Sequence, residues 1–120
     1  TSKTLAEQYN QFQNNFGQDS SQDYDDIILK LFTADFKKVA NGNELAQERA
    51  QLLAQLNSVK DFAGTWSIQT LDIIPSADDR KCTNRYYLKS EKAGQFEVIA
   101  ILSIRQGQIH RIDEIFYQKN

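Results

Sequence analysis

Residues 96–117 read FEVIAILSIRQGQIHRIDEIFY, and this stretch decides the fold. β-Branched and aromatic residues dominate both of its halves, which is typical of strands. The pair Gln106-Gly107 between the halves predicts a two-residue turn. The stretch therefore predicts an antiparallel hairpin of two strands, residues 96–105 and 108–117.

Both faces of this hairpin are apolar to a large extent. If Ile104 pairs with Ile109, alternation along the strands assigns the remaining residues to two faces. One face holds Ser103, His110, Ile101, Ile112, Ile99, Glu114, Glu97 and Phe116. Helices can cover only one face, and an exposed apolar sheet face is costly. The pattern therefore predicts a homodimer that forms through the sheet.

Two further strands precede the hairpin. Residues 65–74 are rich in β-branched and aromatic side chains, and Pro75 ends that strand. Residues 81–89 form a strand around Tyr86-Tyr87. The second half of the chain is therefore predicted to be a four-stranded antiparallel meander.

The first half has helical spacing. Leu5, Tyr9, Phe12 and Phe16 predict a helix over residues 3–16, with Gly17 as its end. A second, shorter helix is predicted over residues 24–32, with Asp23 as its cap, and a third over residues 45–56. Asn41-Gly42 predicts a small two-stranded ribbon between them. The prediction is an α+β domain with three helices and a small hairpin packed on a curved four-stranded antiparallel sheet.

Composition narrows the functional classes. The chain has 120 residues, which predicts a single domain over residues 1–120, and its formal charge of -2 argues against a nucleic-acid binder. One cysteine and one histidine argue against a disulfide and a multi-histidine metal site. No apolar run is long enough for a membrane span. The sequence therefore predicts a soluble protein. Because it contains no methionine, an initiating segment is expected to have been removed, and the protein is either cytoplasmic or exported with its signal peptide removed.

Two stretches carry a resemblance to a known family. They are LFTADF at residues 31–36 and QGQIHRIDEIFY at residues 106–117. The second is similar to the closing D-G-x-I-x-R-x-x-x-Y strand of the nuclear transport factor 2-like superfamily. The chain resembles the SnoaL-like and ketosteroid-isomerase-like members over nearly its full length. The resemblance implies a cone of helices and bent sheet around a pocket, and members include isomerases, cyclases, dehydratases, hydrolases and binding domains.

Glu114 and His110 are the candidate catalytic residues. In epoxide-hydrolase-like members of the superfamily, a carboxylate at the position of Glu114 points into the pocket, and alternation places His110 on the same face. The two lie roughly 13 Å apart along the strand, so both could reach one ligand without touching. The alternative is that Glu114 pairs with a buried partner and His110 lies near the open end of the sheet. The isomerase base has no counterpart, since residues 39–41 contain no acid.

A set of aromatic and aliphatic residues is predicted to contact a ligand, because each offers an apolar surface and some carry a polar tip. These candidates are Tyr9, Phe12, Trp66, Tyr86, Ile112 and Phe116. The alternative is that they are ordinary core. Lys37-Lys38 are interpreted as solvated, and Cys82 as a small buried hydrophobe. No cofactor or metal is predicted.

Three functions remain open on the sequence. The first is a domain that binds a small, moderately apolar molecule in the pocket. The second is a dimeric interaction module whose cavity is filled by its own side chains. The third is an isomerase, dehydratase or hydrolase that uses Glu114. The open or filled state of the cavity distinguishes them.

Overall fold

The structure is a computed structural model and describes residues 1–119. Its helices are α1 (Ser2–Gln18), α2 (Asp25–Leu31) and α3 (Leu52–Ala63), with a short 3-10 turn at Arg49–Gln51 before α3. Its strands are β1 (Phe32–Ala40), β2 (Asn43–Ala46), β3 (Trp66–Pro75), β4 (Lys81–Ser90), β5 (Gly94–Arg105) and β6 (Gln108–Lys119).

The sheet has six strands rather than the predicted four, in the order β2-β1-β6-β5-β4-β3. The predicted four-stranded meander forms β3 to β6, with every neighbouring pair antiparallel. The predicted ribbon is not separate from it, because β1 pairs in parallel with β6. This pairing supplies hydrogen-bond partners to an edge of β6 that would otherwise be unpaired.

The third helix begins later than predicted. Residues 43–46 pair with β1 as strand β2, and α3 starts only at Leu52. Arg49, within the range predicted for this helix, lies instead in the 3-10 turn and donates from Nη1 to the carbonyl oxygen of Phe32 at 2.9 Å. The leucine spacing was helical, but the Asn41-Gly42 turn commits the following residues to a strand.

Helix α1 packs across β3 and β4 and forms the core with the sheet. Gly17 was predicted to end the helix, but it lies in the last turn of α1. It lies directly against Trp66, so closely that a Cβ atom there would be 2.5 Å from the Trp66 carbonyl oxygen. The indole Nε1 of Trp66 donates to the carbonyl oxygen of Gln13 at 3.0 Å. These contacts fix the start of β3 against the end of α1.

The register of the last hairpin differs from the prediction by one residue. Ile104 pairs with Ile109 as predicted, but Ser103 then pairs with Arg111, so His110 is an extra residue in a β-bulge. From the bulge onward, the β5 residues that share the inner face with Glu114 are not Ser103, Ile101 and Ile99, as predicted, but the residues that alternate with them. They are Leu102, Ala100 and Val98, all buried.

The outer, convex face of the sheet carries several exposed hydrophobic side chains. They are Ile99, Ile101, Ile115 and Tyr117, each between 41% and 68% exposed. Ile99 and Ile115 are direct cross-strand partners. Over residues 1–119, none of the helices is both long and apolar enough to cross a bilayer.

Candidate functional site

A cavity of about 790 Å³ lies between α3, the β1–β2 hairpin and the concave face of the sheet. We call it the site cavity. Apolar side chains supply most of its walls: Leu56, Val59 and Phe62 from α3, and Leu88, Phe96, Val98 and Phe116 from the sheet. Polar side chains also line it, and the charged ones are Glu114, Lys38 and Glu44.

Glu114 lies on β6 between two small residues. Its neighbours across the strands are Ala100 on β5 and Ala40 on β1. Both alanines are buried, and their short side chains leave room beside the carboxylate. The Oε2 atom of Glu114 is buried and has no hydrogen-bond partner within residues 1–119. Such an atom needs an explanation, because most buried polar atoms in proteins are hydrogen-bonded.

Two tyrosines adjoin this carboxylate. Tyr86 lines the site cavity, and its hydroxyl donates to Oε1 of Gln13 at 3.3 Å. Burial raises the pKa of Tyr86 well above its usual value, and the nearby charge of Glu114 raises it further. The pKa of Tyr9 is raised by the same two causes, burial first. Both phenols therefore stay protonated at neutral pH, and the Tyr9 hydroxyl, like Oε2 of Glu114, is buried with no hydrogen-bond partner within residues 1–119.

A buried amide network holds Gln13 behind Tyr86. Gln13 Nε2 donates to Asn10 Oδ1 at 3.5 Å. Asn10 and Asn84 exchange two hydrogen bonds of 2.9 and 2.8 Å, and Asn10 also donates to Thr70 Oγ1 at 3.0 Å. Asn10, Gln13 and Asn84 were not predicted from the sequence as site residues. The available signal was the position of Gln13, four residues after Tyr9 and therefore on the same helical face.

Lys38 was also missed, and the interpretation of it as solvated is wrong. Lys37 is exposed, but Lys38 is only 4% exposed and lines the site cavity. Its Nζ donates to Oε1 of Gln55 on α3 at 3.2 Å. Strand alternation from Phe36 through Lys38 to Ala40 could have revealed its inward orientation, had residues 32–40 been recognised as a sheet strand.

The predicted ligand-contacting residues divide into two groups. Trp66, Tyr86 and Phe116 line the site cavity together with Glu114. Tyr9, Phe12 and Ile112 lie in the closed core and do not line the site cavity, which agrees with the alternative of ordinary core for these three. Contact with a ligand remains a prediction for the lining group.

His110 and Glu114 line different cavities, so the prediction that both lie on one face and could reach one ligand is wrong. The β-bulge interrupts the alternation on which that prediction relied. His110 lines a second cavity of about 710 Å³ at the opposite end of the sheet, beside the Gln106-Gly107 turn and the start of α1.

Two other predictions concern single side chains. Cys82 is 1% exposed and belongs to the core, as predicted. Asp23 was predicted as the cap of α2, but the N-cap residue is Tyr24; Asp23 lies one residue earlier and accepts a hydrogen bond from the backbone N–H of Asp25 at 2.9 Å. Within residues 1–119, there is no cluster of three acidic, histidine or cysteine side chains that could hold a metal ion.

No protein-family model matches the sequence, and no curated protein matches it. Solved structures do. A "putative ketosteroid isomerase" from Kribbella flavida superimposes with a TM-score of 0.76 at 14% identity, covering 99% of this chain and 79% of that chain. A "putative polyketide cyclase" from Sinorhizobium meliloti gives 0.71 at 16% identity, covering 92% and 93%. An NTF2-like protein of unknown function from Exiguobacterium gives 0.75 at 17%, covering 96% and 99%.

These similarities confirm the fold that the resemblance implied. The chain has the nuclear transport factor 2-like fold, which the SnoaL-like and ketosteroid-isomerase-like proteins share. At such low sequence identity the likeness concerns the fold, and the function must be argued from the site.

Proposed function

We propose that this protein binds a small, moderately apolar molecule in the site cavity and that Glu114 accepts a hydrogen bond from it. The observation that carries this proposal is the buried Oε2 atom of Glu114, which has no partner within residues 1–119. A buried acceptor without a partner costs stability, and a bound donor would remove that cost.

The surroundings of Glu114 support the proposal. Binding sites for small molecules are concave and mostly apolar, with a few placed polar groups that fix orientation. The site cavity combines an apolar wall from α3 and the sheet with the polar atoms of Glu114 and Tyr86. Its volume of about 790 Å³ is within the usual range for such sites.

The test uses N-phenyl-1-naphthylamine, a neutral aromatic amine whose fluorescence rises in apolar surroundings. Ser58 lies on α3, is exposed, and lines the site cavity. The indole of Ser58→Trp should occupy part of the cavity and abolish the fluorescence increase. The neighbouring Asn57 is exposed and does not line the cavity, so Asn57→Trp adds the same bulk to the same helix as a control.

Saturable binding that Ser58→Trp abolishes and Asn57→Trp preserves would support the proposal. Equal loss in both variants, or no binding by the unmodified protein, would contradict it. Absence of binding would instead favour the dimeric interaction module.

An enzymatic function is the second candidate, because Glu114 has the unpartnered oxygen that a general base needs. Two of the similar structures are described as an isomerase and a cyclase. In this reading, the carboxylate accepts a proton from a carbon next to a carbonyl group. The test follows deuterium exchange into 2-tetralone by nuclear magnetic resonance. Acceleration by the unmodified protein, lost in Glu114→Gln, would support an enzyme.

We also infer that a second copy of this chain covers the convex face of the sheet. Ile99, Ile101 and Ile115 lie together on β5 and β6 and are exposed in the single chain. Exposed apolar side chains that adjoin each other mark an association surface. The homodimer would form back to back and leave both site cavities accessible.

A further inference from the structure

Lys38 is a cation in an unusual position. It is 4% exposed, yet it borders the site cavity from the β1 side. Lysine is almost never fully buried unless it is paired. A cation at such a depth therefore calls for a compensating group.

The protein supplies little compensation to this ammonium group. Its hydrogen bond is to the amide oxygen of Gln55, which carries no charge. Across residues 1–119, none of the ion pairs within 4.0 Å includes Lys38. An ammonium group has three N–H donors, so donors remain for a further partner.

Glu114 does not serve as that partner, although it lies on the neighbouring strand. In the parallel β1–β6 pairing, Lys38 lies opposite Ile112 and Ala40 lies opposite Glu114. The two charged residues are thus offset by two positions, about 7 Å along the strands. A molecule in the cavity could contact both groups at once.

A second acid lines the cavity but does not compensate Lys38 either. Glu44 is exposed on β2 and accepts a hydrogen bond from Gln47 at 2.9 Å. Solvent and salt screen its charge. The uncompensated cation is therefore at the buried end of the site cavity, and the exposed carboxylate is at its rim.

We propose that the bound molecule is an organic acid whose anionic oxygen binds Nζ of Lys38. This inference rests on the proposed function and names the class of its ligand. The apolar body of the acid lies against the α3 side of the cavity, and a hydroxyl or amine on that body donates to Glu114. An anion at Lys38 replaces the water that an exposed lysine would have as partner, and charge-assisted hydrogen bonds of this kind are strong.

The test compares two probes that share one aromatic body. These are 1-anilinonaphthalene-8-sulfonate, which carries an anionic oxygen group, and neutral N-phenyl-1-naphthylamine. The unmodified protein should bind the sulfonate more tightly. In Lys38→Met this preference should fall by about tenfold or more, the effect of one charge-assisted hydrogen bond. Lys38→Arg should retain it.

Lys37→Met is the matched control, because it removes the same charge from the exposed neighbouring residue. It should leave the preference unchanged. An equal loss in both lysine variants would mean that net charge alone attracts the sulfonate, and this would overturn the proposal.

The remaining outcomes separate this inference from the proposed function. If the unmodified protein binds both probes equally, the organic-acid inference fails and binding in the cavity stands, even if no Lys38 variant folds. If Lys38→Met weakens both probes equally, Lys38 only supports the cavity wall and the inference fails. If neither probe binds, the proposed function fails and the inference fails with it.

Discussion

Glu114→Gln is expected to raise the stability of the unliganded protein. A carboxylate can only accept hydrogen bonds, and the Tyr86 hydroxyl lies within hydrogen-bond distance of Oε1 of Gln13, at 3.3 Å. An amide at position 114 has the same shape, carries no charge, and could donate to the Tyr86 oxygen. One hydrogen bond gained at a half-buried site is worth about 1 kcal/mol, which is about 4 °C in melting temperature for a domain of this size.

Glu97→Gln is the matched control and should have the opposite effect. Glu97 is a glutamate of the neighbouring strand β5, and it is buried and paired with Arg85 at 3.0 Å. The hydrogen bond from Arg85 lowers the pKa of Glu97. The stabilisation is therefore present at neutral pH, above the ordinary glutamate pKa, and is lost as the pH falls through the lowered value.

The assay is thermal unfolding of the three proteins at pH 7, followed by circular dichroism. Glu114→Gln should melt above the unmodified protein, and Glu97→Gln should melt below it. A clear destabilisation by Glu114→Gln would mean that the carboxylate has a structural partner. The reasoning for a ligand acceptor at this position would then be refuted.

Three further predictions concern other parts of the molecule. Gly17→Ala should lower the free energy of unfolding by about 2 kcal/mol, because the clash with Trp66 outweighs the gain of about 1 kcal/mol in helix propensity. Chemical denaturation measures this change, and a variant of equal or greater stability would contradict the close packing of Gly17 against Trp66. His110→Ala should leave the affinity for N-phenyl-1-naphthylamine unchanged, since His110 lines the other cavity; a weakened affinity would show that the two ends of the sheet communicate. Sedimentation equilibrium at micromolar concentration should give twice the chain mass of 13.8 kDa, and a clean species of 13.8 kDa would rule out the sheet dimer.

The sequence was most informative where the hydrophobic period was regular. The four strands of the meander and α1 follow their patterns closely, because alternation and helical spacing reflect burial directly. Leu45 and Ala46 were misassigned to the third helix because they fit a helical face as well as a short strand. The pairing of β1 with β6 could not be predicted, since it joins segments at opposite ends of the sequence and leaves no local signal.

The candidate site was predicted in part for a related reason. Glu114 was placed on the correct face because no irregularity separates it from Ile112 and Phe116. His110 was misplaced because a bulge adds one residue and shifts all the cross-strand partners that follow. Lys38 was missed because two adjacent lysines look equally solvated until the sheet position of their strand is known.

The parallel pairing of β1 with β6 also has a consequence for how the chain folds. The meander can form from neighbours in sequence, whereas β1 must close a loop that contains most of the chain, and such contacts form slowly. Until β1 docks, one edge of β6 is open and can pair with another chain. Lys38 lies on β1, so the site cavity would be completed only when β1 docks, in the last step of folding. At high concentration, slow folding would favour aggregates in which β1 has not docked.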